Sequence, residues 1–163
     1  MSVKCPFYEA NFVCQKPVCG ALRYFRRTGE GVFDMADLAA RTTAMGDFIA
    51  AEQGATGATR VIGLGYSNGA NILASVSFQR PGVLTDLILL HPLIPFDPTP
   101  QPGLADVRVL ITAGQRDPIC PAPLTQKLGD YFTAQGADLT LNWHPGGHEI
   151  AQSEIDAIRK FLT

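Results

Sequence analysis

Gly65-Tyr66-Ser67-Asn68-Gly69 follows an apolar run, Arg60-Val61-Ile62-Gly63-Leu64, and leads into a small-residue helical pattern, Ala70-Asn71-Ile72-Leu73-Ala74. An apolar run of strand length, a serine between glycines and a helix-period segment describe a strand, a sharp turn and a helix, the setting of a serine nucleophile elbow. A serine on so tight a turn takes a strained backbone conformation and projects its hydroxyl above the sheet. The flanking positions then tolerate almost no side chain, a demand that Gly65 and Gly69 meet. The five letters alone carry little weight. Their flanks make the reading.

Outward from this turn, β-rich runs alternate with helical patterns from about residue 34 onward, which is an α/β rhythm. A helix is expected from a cap at Asp34 to Glu52, with Leu38, Thr42, Met45, Phe48 and Ile49 on one face and Gly54 as its stop. Strands are expected at 59–64, Leu84 to His91, Val107 to Ala113 and Leu139 to Trp143. Helices fill the gaps: the elbow helix to about Gln79, ended by Pro81-Gly82, then 122–135 and 150–162. Strands apolar throughout and joined by crossovers imply a parallel sheet covered on both faces. Pro92 to Pro102 reads as a proline-rich loop, and there is no internal repeat.

Composition bounds the function. With 163 residues, 46% hydrophobic and 17% charged, the chain suits one domain able to bury a core without disulfides or metal. A formal charge of −2 and scattered arginines, Arg26-Arg27 apart, give no electropositive field, so nucleic acid is not an expected partner. The N-terminal residues carry no apolar signal region and no run is long enough to span a bilayer; the expectation is a cytoplasmic protein with no stable membrane insertion. Cys5, Cys14, Cys19 and Cys120 form no CxxC pair and are expected to be reduced and unligated, with no metal site.

In open parallel sheets ligands bind beyond the carboxyl ends of the strands, so residues just after strands are the ones to inspect. Ser67 follows the first clear strand. Asp117 follows the third, in Gly114-Gln115-Arg116-Asp117-Pro118, and His148 follows the fourth, in Pro145-Gly146-Gly147-His148-Glu149. The chain order Ser, Asp, His is that of α/β-hydrolases and differs from two common protease orders. A hydroxyl is a poor nucleophile at neutral pH, an imidazole can take its proton, and a carboxylate fixes the imidazole tautomer.

Several segments in order carry a resemblance. They are Tyr24-Phe25-Arg26-Arg27 with Glu30-Gly31-Val32-Phe33-Asp34, the elbow, His91-Pro92-Leu93-Ile94-Pro95-Phe96, Gly114 through Pro121, and Gly146-Gly147-His148-Glu149. Over roughly residues 20 to 163 the chain resembles the carboxylesterase/phospholipase group of α/β-hydrolases, which includes acyl-protein thioesterases. The resemblance implies Ser67 as nucleophile, His148 as general base and acid, Asp117 as its orienting carboxylate and the Asn68 N–H as one oxyanion donor. It further implies that Leu93 and Ile94 line an acyl pocket and that no cofactor is needed.

The match has a gap. Family members begin with two or three strands and a His-Gly-type loop that supplies the second oxyanion donor, and nothing before Cys19 resembles it. The expected fold is therefore a truncated α/β-hydrolase, a mainly parallel sheet of four or five strands with helices on both faces and an atypical segment at 1–19. Ala10 to Gln15 could add one strand. The elbow strand would be an edge, and an apolar edge invites pairing with another copy, hence a homodimer.

Rival readings exist for each residue. Ser67 could be an ordinary turn serine, and Asp117 could cap the helix after Pro118, with Asp86 and Asp106 weaker candidates at strand starts. His144 competes with His148, while His91 precedes Asp117 in the chain and reads as a pocket or strand-end residue. Cys120 at a helix start lacks a partner pattern of its own. The functional expectation is a serine hydrolase acting on small-molecule carboxylic esters with short to medium acyl groups. The alternative is a catalytically silent remnant with an incomplete oxyanion hole, serving as an interaction protein.

Overall fold

A computed structural model describes residues 23–29 and 31–163 of the chain. Its elements in order are β1 (Arg27–Gly29), β2 (Val32–Phe33), α1 (Met35–Thr56), β3 (Ile62–Tyr66), α2 (Asn68–Gln79), β4 (Asp86–Leu90), β5 (Arg108–Gly114), α3 (Ala122–Ala134), β6 (Asp138–His144) and α4 (Gln152–Leu162). A 3₁₀ turn, Pro102–Leu104, closes the proline-rich loop. The possible strand at Ala10 to Gln15 and the three N-terminal cysteines lie outside the described residues.

β3, β4, β5 and β6 form a parallel sheet in that order, with Leu64 beside Ile88, Ile88 beside Leu110 and Leu110 beside Thr140. Side-chain alternation sends Leu87, Leu89, Val109 and Ile111 to one face, where they join Ile72, Val76, Leu128 and Phe132 of α2 and α3 in the main core. Leu38 and Met45 bring α1 into the same core. The opposite face holds Ile88, Leu90 and Leu110 against Ala157, Ile158 and Phe161 of α4. Helices thus cover both faces, as crossover connections between parallel strands require. This is the α/β-hydrolase arrangement expected from the sequence.

Two details differ from the sequence reading. Gly54 does not stop α1: the helix runs one turn further to Thr56, and Gly57 at φ +65° supplies the left-handed residue, its N–H reaching Gln53 O. The short antiparallel pair β1–β2 was not anticipated, because two and three residues around a bulge are too few to show a period. It packs Phe25 edge-on to Phe33, ring centres 4.8 Å apart, and sets Tyr24 against the elbow.

Among the described residues β3 is an edge strand. Ile62, Leu64 and Tyr66 point to the α4 side, where α4 covers β4 to β6 but not β3, and they are 40%, 57% and 40% exposed. No helix of the described residues is long and apolar enough to cross a membrane.

Candidate active site

The site is built where the strands end. Ser67 stands between β3 and α2 with φ +52° and ψ −116°, outside the regions L-residues normally occupy. Its N–H is held by Leu90 O at 2.8 Å, which ties the turn to the end of β4. Gly65 is obligatory here, since a Cβ would lie 2.5 Å from the backbone carbon and oxygen of Gly69. Gly69 matters for a different reason. A Cβ there would meet Tyr24 Cε2 at 3.3 Å, so the glycine makes room for the β1–β2 side of the molecule.

Asp117 follows β5. Its Oδ1 accepts the N–H groups of Ile119 and Cys120 at 2.8 and 2.9 Å, so the carboxylate caps its own turn and points Oδ2 elsewhere. Burial pushes this carboxyl up, but the Cys120 N–H, the imidazoles of His148 and His91 and the Ile119 N–H outweigh it and hold the carboxyl below its ordinary range. The capping role and the carboxylate role therefore coincide in one side chain.

His148 follows β6 on a loop that is laid across the end of β5. Gly114 permits this approach, because a Cβ there would fall 2.0 Å from Gly147 O. Gln115 N–H to His144 O at 2.8 Å and Arg116 N–H to Gly146 O at 3.0 Å stitch the two loops together. Glu149 turns back so that both its oxygens accept the Gly147 N–H, at 3.0 Å each. Tyr66 OH donates to His148 O at 2.7 Å. Burial and then the Asp117 charge push that phenol up, so it remains a donor.

These loops bring the three side chains into line. His148 Nε2 lies 3.0 Å from Ser67 Oγ, and His148 Nδ1 lies 2.7 Å from Asp117 Oδ2. With Asp117 ionised, Nδ1 carries the hydrogen and Nε2 faces the hydroxyl with a lone pair. Asn68 opens α2, where the first N–H groups have no intrahelical acceptor, and its side-chain Oδ1 accepts the Tyr24 N–H at 2.8 Å.

The rivals are placed elsewhere. His144 ends β6, buried, with Nδ1 accepting the Gly146 N–H at 3.1 Å and Nε2 turned towards Glu154 Oε2 at 3.4 Å. Asp86 is buried under Arg60 and Arg108 at the start of β4, and Asp106 precedes β5 at φ +70°. Cys120 is a buried thiol, its Sγ donating to His91 O at 3.1 Å, and burial followed by the Asp117 charge pushes it up to about 12. It is a poor nucleophile. Leu93 and Ile94 are each 4% exposed in the main core, and the Leu93 N–H is held by Asn71 Oδ1 at 2.7 Å. Ile94 also borders a surface hollow of about 260 Å³ with Phe96, Pro98 and Tyr131, a hollow that no member of the Ser67–His148–Asp117 line reaches.

The sequence reading missed a second layer. Asp117 Oδ2 also lies 2.8 Å from His91 Nδ1, and His91 Nε2 lies 3.1 Å from Oε1 of a fully buried Glu154. A signal for Glu154 was present. Glu154, Ala157, Ile158 and Phe161 fall at i, i+3, i+4 and i+7, which puts a carboxylate on the apolar stripe of α4.

Among the described residues two groups of side chains have metal-ligand spacing: His91, Asp117 and His148, and His91, His144 and Glu154. In the second, the Gly146 N–H occupies His144 Nδ1, so the hydrogen of the neutral ring sits on Nε2, the atom a metal would need bare. In the first, both imidazoles spend their Nδ1–H on one carboxylate oxygen. Neither arrangement fits a cation.

Residues 31–156 match the dienelactone hydrolase family. The chain belongs to that family. This dienelactone hydrolase family member is 42% identical over 144 residues to the Bacillus subtilis (strain 168) protein named "Putative hydrolase MhqD", covering 87% of this chain and 72% of that one. Among solved structures it is similar to the protein Atu2452 of unknown function from Agrobacterium tumefaciens str. C58, with 54% identity, a TM-score of 0.86, and coverage of 92% of this chain and 74% of that one. It is also similar to the Bacillus cereus carboxylesterase, with 31% identity, a TM-score of 0.83, and coverage of 94% and 71%. The family member is thus a hydrolase of the dienelactone hydrolase and carboxylesterase type.

Proposed function

We propose that the chain hydrolyses small carboxylic esters with short to medium acyl groups through Ser67, His148 and Asp117. The observation that carries this reading is the continuous line Asp117 Oδ2, His148 Nδ1, His148 Nε2, Ser67 Oγ, with contacts of 2.7 and 3.0 Å, ending on a serine whose backbone is held at φ +52°. Ser67 Oγ attacks the acyl carbon while His148 Nε2 takes its proton, and the carbonyl electron pair moves to oxygen. Collapse of the tetrahedral intermediate expels the alcohol, protonated by His148, and leaves an acyl-Ser67. Water, deprotonated by His148, then attacks the same carbon, and a second collapse releases the acid and restores Ser67. The Asn68 N–H serves as one oxyanion donor, a type of contact whose loss costs about 10²- to 10³-fold in rate. The apolar loop after His91, from which Leu93 and Ile94 pack into the core, is the side we propose to receive the acyl group. The cycle needs no cofactor.

The test is covalent labelling with a fluorophosphonate probe, which reports an activated serine independently of substrate choice. Stoichiometric labelling of the native chain and none of Ser67→Ala is the expected result. An unlabelled native chain would overturn the reading in favour of a silent member of the fold. We propose in addition that the chain is a homodimer through the β3 side of the sheet, supported by the unpaired edge among the described residues and by its exposed Ile62, Leu64 and Tyr66.

A further inference from the structure

Behind the line that ends on Ser67 lies a second one made of the same parts. Glu154 Oε1 is 3.1 Å from His91 Nε2, and His91 Nδ1 is 2.8 Å from Asp117 Oδ2, the oxygen that also faces His148. His91, Asp117 and Glu154 have side chains with no exposed surface. An ionised Asp117 cannot present a lone pair to another lone pair, so His91 Nδ1 bears a hydrogen. Asp117 Oδ2 is therefore an acceptor shared by two imidazoles, one reaching solvent and one sealed in the core.

Glu154 is held from every side. Its Oε2 accepts the Ala151 N–H at 2.6 Å and faces His144 Nε2 at 3.4 Å; its Oε1 accepts the Thr112 hydroxyl at 2.5 Å. The axis of the His91 Nε2 bond misses Oε1, so that contact is electrostatic rather than an aligned hydrogen bond. Glu154, anchored by the Ala151 N–H and the Thr112 hydroxyl, backs the far side of the His91 ring by this contact.

We propose that His91 and Glu154 are positioning residues of the hydrolase: His91 holds Asp117 Oδ2 on the axis of His148, and Glu154 holds His91. The turn N–H groups of Ile119 and Cys120 anchor only Oδ1, which leaves rotation of the carboxyl plane to be set by whatever engages Oδ2. His148 approaches that oxygen from a solvent-facing loop, whereas His91 approaches from the rigid end of β4, its N–H tied to Thr112 O at 2.8 Å. The core imidazole is the fixed reference and the loop imidazole aligns to it. Neither His91 nor Glu154 is hydrogen-bonded to Ser67, so the effect on turnover passes through Asp117 and through the His148 ring, which His91 meets edge-on with ring centres 5.1 Å apart.

The proposal rests on the serine hydrolase reading, and its test separates the two. His91→Ala and His91→Asn are compared with the native chain for kcat and KM on a p-nitrophenyl ester, alongside fluorophosphonate labelling. Asn places an amide N–H on the same atom position as Nδ1 and tolerates the positive φ of 49° at this residue. His91→Ala is expected to lower kcat on the order of 10- to 100-fold with KM unchanged, the scale seen where outer partners that orient metal-binding imidazoles are removed. His91→Asn is expected to recover most of that loss. A folded His91→Ala with native kcat, or an Asn variant as impaired as the Ala variant, would overturn the positioning role. A native chain that neither turns over ester nor takes the probe would instead overturn the hydrolase reading beneath it. Nitrogen-labelled histidine NMR needs no substrate: in the native chain a hydrogen on His91 Nδ1 whose resonance moves in Asp117→Asn supports the shared acceptor, and an unprotonated Nδ1 sinks it.

Discussion

His148 follows two glycines, yet four contacts remove the freedom those glycines would give: Asp117 on Nδ1, Ser67 near Nε2, Tyr66 OH on its carbonyl and Glu149 on the Gly147 N–H. Its side chain is 18% exposed, enough to meet solvent, whereas the His144 side chain is 4% exposed and faces Glu154. This separates two histidines four positions apart. His148→Ala is expected to lower ester turnover by roughly 10⁴- to 10⁶-fold, because members of such a unit act together. Asp117→Asn should be less severe, and a folded His144→Ala should retain turnover. Steady-state kinetics on the three variants decides it; loss in His144→Ala with turnover kept in His148→Ala reverses the assignment. Ser67, Asp117 and His148 were legible as candidates because each comes within four residues of a strand's end, in a known chain order. His91 was seen but given no such role, since its contact with Asp117 crosses 26 positions and depends on how β4 and β5 register.

At the scale of elements, the sheet is pinned at the end opposite the site. Asp86 opens β4 and draws Arg60, just before β3, to 3.0 Å and Arg108, in β5, to 3.2 Å, tying three adjacent chain segments through one buried carboxylate. Burial pushes that carboxyl up, but Arg60, Thr85 and Arg108 outweigh it and hold it below its ordinary value. Its folded pKa is therefore depressed. The resulting stability is complete above the unfolded carboxyl value near 3.9 and is lost as pH falls through the folded value. Asp86→Asn is expected to cost about 1–3 kcal/mol at neutral pH, with the gap to the native chain closing as the pH is lowered below that range. Urea midpoints across an acid series measure it, and a gap that stays constant would remove the carboxylate from the explanation. The strands themselves were legible to within two or three residues because β4 and β5 carry unbroken apolar runs, 87–90 and 109–111. The extra turn of α1 was not, since the stop depends on which glycine adopts positive φ, Gly57 rather than Gly54, and both stand in similar polar surroundings.

For the whole molecule the open question is what meets β3. The edge carries Ile62, Leu64 and Tyr66 outward and, among the described residues, has no neighbouring strand. Sedimentation at micromolar concentration is expected to show a dimer, and Leu64→Lys should shift it towards a single chain; a native chain that sediments as a monomer removes the proposal. The backbone of Ser67 bears on the molecule in another way. Holding a non-glycine residue at φ +52° and ψ −116° costs about 1–3 kcal/mol, which the rest of the fold must offset. Ser67→Gly releases that strain and gives back part of it as chain entropy, leaving a net gain of about 1 kcal/mol. The variant should melt roughly 2–4 °C higher than the native chain while taking no fluorophosphonate, which thermal unfolding and labelling measure together. An unchanged or lower Tm would mean that the turn is relaxed by its surroundings. Selection for thermal robustness alone would therefore drift away from serine at this position, and a chain that keeps it does so against its own melting point.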